Sequence, residues 1–286
     1  MKAVREIHLR TVLFAVTLLS MFWGYQLMFL DHAPVAFSSE LEDMSYAWYV
    51  PLFSLYVVWR ERREIVRSAG DPCAWGLLLA LPCFAAGFLG IRGFQLRLEE
   101  IGFSGLLISL VLTFYGPATA KRILFPALFL LFCMPLATYL DVVTVHLRLV
   151  ATGTAFALLK GCGVDVLRRG TMLAASDGSF AIDVADPCSG LRSFFALAAL
   201  TAGYAYFNQP TWPRRALLFA LSAPIAVAGN VARVISIAFV AAFCSPDFAT
   251  GFYHDYSGYV VFAVAIMLML AASGLISKGF GKCAAD

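Results

Sequence analysis

Apolar residues come in blocks along this chain, and polar residues collect in short intervals between them. Runs near 11–30, 44–59, 74–91, 101–119, 123–140, 189–207, 216–242 and 257–276 are long or nearly long enough to cross a bilayer, which takes about 20 residues of helix. The second run is short, but Asp43 and Arg60 flank it and can snorkel to the membrane surface. The expected architecture is all-α and polytopic, with about eight transmembrane helices.

Two segments depart from the block pattern. Residues 141–160 are apolar but interrupted by Thr144, His146, Arg148, Thr152 and Thr154, and read as an amphipathic helix lying along the membrane interface. Between about 163 and 185 the pattern turns to alternation, as in Phe180-Ala-Ile-Asp-Val, with turn residues at Arg169-Gly170 and Ser176-Asp177-Gly178. This predicts a small β element. Open sheet edges are not tolerated in lipid, so it must lie outside the membrane or under protein cover.

Composition agrees with the pattern. Hydrophobic residues make up 61% of the 286 and charged residues 14%, against about 25% charged in a typical soluble domain. With the N-terminus inside, eight spans put Arg60/Arg62/Arg63/Arg67, Lys121/Arg122, Arg214/Arg215 and Lys278/Lys282 on the cytoplasmic side, as short cytoplasmic loops require. A ninth span at 141–160 would throw Arg214 and Arg215 outward. The first run is too long for a signal peptide's apolar core and no A-x-A site follows, so it reads as a span. No linker or repeat divides the chain, which reads as one integral-membrane domain over 1–286. Both termini are expected in the cytoplasm and the membrane is the cell's inner one.

The net charge of +3 and the lack of basic runs interleaved with aromatics exclude a nucleic-acid partner. The seven cysteines are scattered, with no C-x-x-C or C-x-x-H spacing, so neither a metal nor another cofactor is expected.

Three places carry candidate chemistry. In Asp186-Pro187-Cys188-Ser189-Gly-Leu-Arg192-Ser, Asp caps a helix and Pro takes its first position. Cys188 then sits in the first turn, where the positive end of the helix dipole and Arg192, one turn on, stabilise a thiolate. The plain alternative is a small packing residue. Gly229-Asn230-Val-Ala-Arg233 sets a cation and an amide on one face of an apolar helix. An arginine there costs roughly 2.5 kcal/mol or more at mid-membrane, so it faces a polar cavity, pairs, or snorkels. His254, within Gly251-Phe-Tyr-His-Asp-Tyr-Ser-Gly258, opens the last span, where the dipole favours neutral imidazole able to accept a proton. Charge counting puts all three at the outer membrane face on consecutive spans. A thiol, a fixed cation and a base are the parts for acyl transfer through a thioester.

These residues, in this order, resemble the signature of the exosortase/archaeosortase family over about residues 120–276, the expected catalytic half. The resemblance implies a cysteine peptidase or transpeptidase of the bacterial exosortase branch, working at the outer face of the membrane. It implies as partner the C-terminal tripartite sorting signal (PEP-CTERM-like) of secreted proteins: a short motif, an apolar helix and a basic tail. Carried over, Cys188 is the nucleophile, Arg233 the stabilising cation and His254 the base, with Ser189, Arg192 and Asn230 in supporting or substrate-binding roles. An acceptor nucleophile of unknown identity resolves the thioester. The rival reading is a polytopic transporter or assembly component with Arg233 lining a pathway, which calls for ionisable residues at mid-membrane on several spans. A disulfide between Cys162 and Cys244 would leave Cys188 free.

Overall fold

A computed structural model describes residues 2–26, 28–38, 44–135, 141–178, 180–183 and 191–282. The chain divides into two compact units, Met1–Thr138 and Tyr139–Asp286.

The first unit is helical. It comprises α1 (Lys2–Gly24), α2 (Ala33–Ser38), α3 (Tyr49–Arg67), α4 (Trp75–Gly93) and α5 (Leu96–Phe129). Its centre is an antiparallel hairpin of α4 on the first part of α5. Gly76 lies against Ser109 and Thr113, Cys83 against Gly105, Gly87 against Gly102, and Gly90 against Glu99. A Cβ on Gly102 would stand 2.6 Å from the Gly87 Cα. Lipid supplies no hydrophobic force between helices, so close backbone approach through small residues is what brings them together. Tyr25 closes the seam from α1's side, with its hydroxyl over Gly87.

The apolar runs expected at 101–119 and 123–140 lie in one 38-residue helical stretch, Leu96–Cys133. Its backbone breaks at Gly116, with φ 79° and ψ 178°. Glu100 lies close enough to Cys133 to act on its thiol electrostatically. A straight helix would put those residues about 50 Å apart, so the stretch folds back at Gly116. The reversal is held from the α3–α4 loop, where Gly70 and Cys73 donate to the Tyr115 and Thr113 carbonyls at 3.0 and 3.2 Å. A Cβ on Gly116 would meet Asp71 O at 2.5 Å.

The second unit contains α6 (Asp141–Gly161), a three-stranded antiparallel sheet in the order β1 (Val166–Arg169), β2 (Met172–Ala175), β3 (Ala181–Asp183), then α7 (Leu191–Asn208), α8 (Trp212–Phe243), the single turn α9 (Pro246–Phe248) and α10 (His254–Lys282). Gly170 and Gly178 turn the two hairpins at φ 63° and 77°. Val166 opposes Ala175, and Leu173 opposes Ile182. Val166, Leu173, Ala175 and Phe180 pack against Ala151, Ala155 and Leu159 of α6 and Val234, Ile237, Ala238 and Ala241 of α8. One face of the sheet is thus covered by protein, while Leu167 and Met172 lie exposed on the other.

Helices α7, α8 and α10 form a bundle. Leu197, Ala226 and Ala265 meet at one level, and Ala205, Leu218, Met269 and Ile276 at another. Those pairings make α8 antiparallel to α7 and α10 parallel to it.

Among the described residues, four helices are long and apolar enough to cross a membrane: Trp75–Gly93, Leu96–Cys133, Trp212–Phe243 and Tyr256–Gly279. A fifth follows if Leu9–Gly24 and Met28–Val35, bent by 51°, form one span. These helices account for four or five of the eight expected spans. Leu96–Cys133 counts once, although its two arms about Gly116 carry the expected runs at 101–119 and 123–140, and α3 ends in the charged Arg60–Arg67. Residues 136–140 lie outside the described residues. Cys162 and Cys244, each at a helix end, are both free and exposed, and no disulfide joins them.

Candidate active site

Arg233 is set into α8, with Arg215 near the other end of the same helix. Eighteen residues of α8 between them span about 27 Å, close to the roughly 30 Å hydrocarbon core. Apolar sequence runs on past Arg233 to Phe243, so Arg233 stands inside the span, toward its C-terminal end.

The guanidinium of Arg233 is half-buried and fixed to α10. Its Nη2 donates to the His254 carbonyl at 2.9 Å and its Nε to Ser257 Oγ at 3.2 Å. Ser257 Oγ donates in turn to the same His254 carbonyl at 3.1 Å. The result is a closed ring of three hydrogen bonds joining cation, hydroxyl and backbone. Ser257 is 5% exposed, so the ring is shielded from competing water. The guanidinium also lies on Gly258, where an added Cβ would be 3.4 Å from Arg233 Cζ. Two of arginine's five N–H groups are spent on α10. Among the described residues the others have no protein partner.

Beside the guanidinium, between α7, α8 and α10, is a cleft of about 10 Å³, roughly the room one oxygen atom or water takes. Arg233, Asn230, Ser193 and Gly258 line it, over a floor of Leu197, Ala226, Phe262 and Ala265. Asn230 is 8% exposed, and its amide has no hydrogen-bond partner among the described residues. Polar donors over an apolar floor suit a carbonyl oxygen better than a hydrated ion. Among the described residues no group of His, Cys, Asp and Glu is arranged to hold a metal ion.

Of the residues singled out in the sequence, the structure brings Arg233, Asn230 and the backbone of His254 together. His254 is half-buried as the first residue of α10. Cys188, Ser189 and the Asp186-Pro187 helix start lie outside the described residues, as does the side chain of Arg192. Helix α7 is described from Leu191, three residues beyond Cys188, and enters the cleft at Ser193. Ser257 and Ser193 were not legible as site residues. Ser257 had one available signal, since it stands one helical turn after His254.

Fold and cleft define a class: a multi-pass helical membrane protein with a half-buried arginine in a cleft between its last three long helices. The family follows from comparison, since the model of the transmembrane exosortase family matches residues 37–271, and the chain belongs to that family. No curated protein and no solved structure matches it.

Proposed function

We propose that the protein is a cysteine transpeptidase or protease that cleaves C-terminal sorting signals of secreted proteins at the outer face of the inner membrane. The observation that carries this reading is the arginine held on the His254 backbone beside a one-atom cleft, at the level where α7 begins. Family membership adds the substrate class.

In the proposed reaction Cys188 thiolate attacks the scissile carbonyl of the signal's motif. The carbonyl oxygen enters the cleft and takes N–H donors from Arg233 and Asn230 as it becomes an oxyanion. His254 receives the thiol proton and returns it to the leaving amine, which departs with the apolar helix and basic tail. Water or another nucleophile then releases the acyl group from Cys188. Ser189 and Arg192 flank the nucleophile and are assigned to substrate contacts.

A reporter carrying a motif, an apolar helix and a basic tail, co-expressed with the protein, tests the proposal by its mass. Release of the tail by the wild type, abolished in Cys188→Ala and reduced by roughly 100-fold or more in Arg233→Ala, is the expected result. Cleavage unchanged in Cys188→Ala would refute the nucleophile and restore the transporter reading. Iodoacetamide labelling adds a substrate-free check. Cys188 should react at lower pH than the protein's other cysteines, and the advantage should shrink in Arg233→Ala and His254→Ala.

A further inference from the structure

Four aromatic rings form a continuous exposed ladder beside the site, on the segment leading into α10. Phe248 stacks on Phe252 with centroids 5.8 Å apart, Phe252 on Tyr256 at 4.4 Å, and Tyr259 follows at 6.4 Å. They are 46, 60, 55 and 75% exposed. Rings of this size left open to water would be an unusual liability. The spacing of four, four and three residues keeps them on one helical face despite the backbone break at Gly251.

That face does not end with the rings. It continues one and two turns apart through Val260, Val264, Met267 and Leu275, all exposed, within the membrane-crossing stretch Tyr256–Gly279. One uninterrupted stripe therefore changes from aromatic to aliphatic at about Tyr259. Aliphatic chains belong in hydrocarbon, and amphipathic rings belong where hydrocarbon meets headgroups. Tyr256 and Tyr259 bring a hydroxyl to that junction, whereas every exposed side chain named below them is purely apolar.

We propose that Phe252, Tyr256 and Tyr259 are a membrane-interface anchor, whose occupant is the headgroup–acyl boundary of the lipid bilayer, and that this anchor fixes the depth of the Arg233 cleft. Ser257 and Gly258, which hold the guanidinium, lie between Tyr256 and Tyr259 in the same helical turn. Any vertical movement of the rings is transmitted to the cleft without an intervening joint. The cleft accordingly sits at the boundary itself, neither in bulk water nor in the hydrocarbon. This goes beyond the cysteine chemistry and stands whether or not that chemistry is correct.

Photocrosslinking reads the occupant directly. p-Benzoylphenylalanine replaces Phe252, or Tyr256 in a second variant, in full-length protein reconstituted into phosphatidylethanolamine/phosphatidylglycerol nanodiscs. Val264, about 18 Å beyond Phe252 and about 12 Å beyond Tyr256 along the helix, serves as the deep reference. The expected result is phospholipid adducts at all three positions, mapping to the glycerol and upper acyl carbons from 252 and 256 and to the chain ends from 264. Adducts to a protein chain at 252 and 256 would show that a partner or second copy covers the ladder, and would overturn the proposal. So would adducts as deep as those from 264, or no lipid adduct at 252 and 256 while 264 gives one. The experiment is repeated in Cys188→Ala, so its outcome is independent of cleavage.

Discussion

At the scale of single residues, one hydroxyl ties the arginine of the cleft into its ring of hydrogen bonds. Ser257 Oγ both accepts from Arg233 Nε and donates to the carbonyl that Nη2 also uses. Removing it leaves a charged N–H unpaired in a shielded position, a loss of about 1–3 kcal/mol. In the proposed reaction Ser257→Ala is therefore expected to slow cleavage by roughly 10-fold or more through kcat, with KM little changed, because the proposed oxyanion donor is no longer fixed. Ser257→Thr keeps the hydroxyl and should restore most of the rate, which a purely structural role would not require. Arg233→Lys should not rescue Arg233→Ala: an ammonium has no planar fork with which to hold two acceptors on α10 and still reach the cleft. The cation and the amide were legible in the sequence because a charge and an amide inside an apolar helix need a reason. Ser257 was not, since serine is unremarkable at any helix start.

At the scale of elements, packing is set by the smallest side chains. Gly102→Val inserts a branched side chain where even a Cβ would stand 2.6 Å from the Gly87 Cα. It is expected to cost about 1–3 kcal/mol or more, seen as a lower unfolding temperature in detergent. Gly116→Ala combines a positive φ with a contact on the Asp71 carbonyl, and should destabilise the first unit, whereas Gly279→Ala, with open space around it, should be neutral. The sheet was legible because its alternation and its two glycine turns are local signals. Helix α6 was legible for the same reason, its period being intact. The reversal between the runs 101–119 and 123–140 was legible from Lys121 and Arg122, which part them; its seat at Gly116 was not, because the holding contacts come from the α3–α4 loop, some 45 positions earlier. In helix α3 the apolar run and its charged flank were both legible. Its apolar first part reads as a span, while its last two turns carry the charged Arg60-Glu-Arg-Arg-Glu run, leaving a helix longer than its apolar part.

At the scale of the molecule, the distribution of polar groups in the second unit separates two ends of one bundle. Arg233, Asn230 and Ser193 gather at one end. At the other, the buried Gln209 amide donates to Ser273 Oγ at 2.8 Å, and Arg215 donates to the Gln209 carbonyl at 2.8 Å while lying over the Tyr206 ring. Between them the bundle is mainly Leu, Ala, Ile and Met, with Thr201 and Ser222 buried among them. Gln209→Leu would remove the amide's bonds to Ser273 and Ser277 while keeping the backbone carbonyl that Arg215 uses, and is expected to lower stability while sparing the pH dependence of Cys188 labelling. The family was legible from the spacing of a few residues. The number of spans was harder to read, since it depends on where the chain turns, and apolar composition does not record turns.

The glycine seam between α4 and α5 has one more consequence. Side chains that interlock must give up rotamer freedom when helices meet, by up to about 2 kcal/mol for the longest. Gly76, Gly87, Gly90, Gly102 and Gly105 have none to surrender. Closing this hairpin is therefore entropically inexpensive, and it depends on shape rather than on the surrounding solvent. When detergent replaces lipid and looser helices drift, this pair is the one that should stay shut.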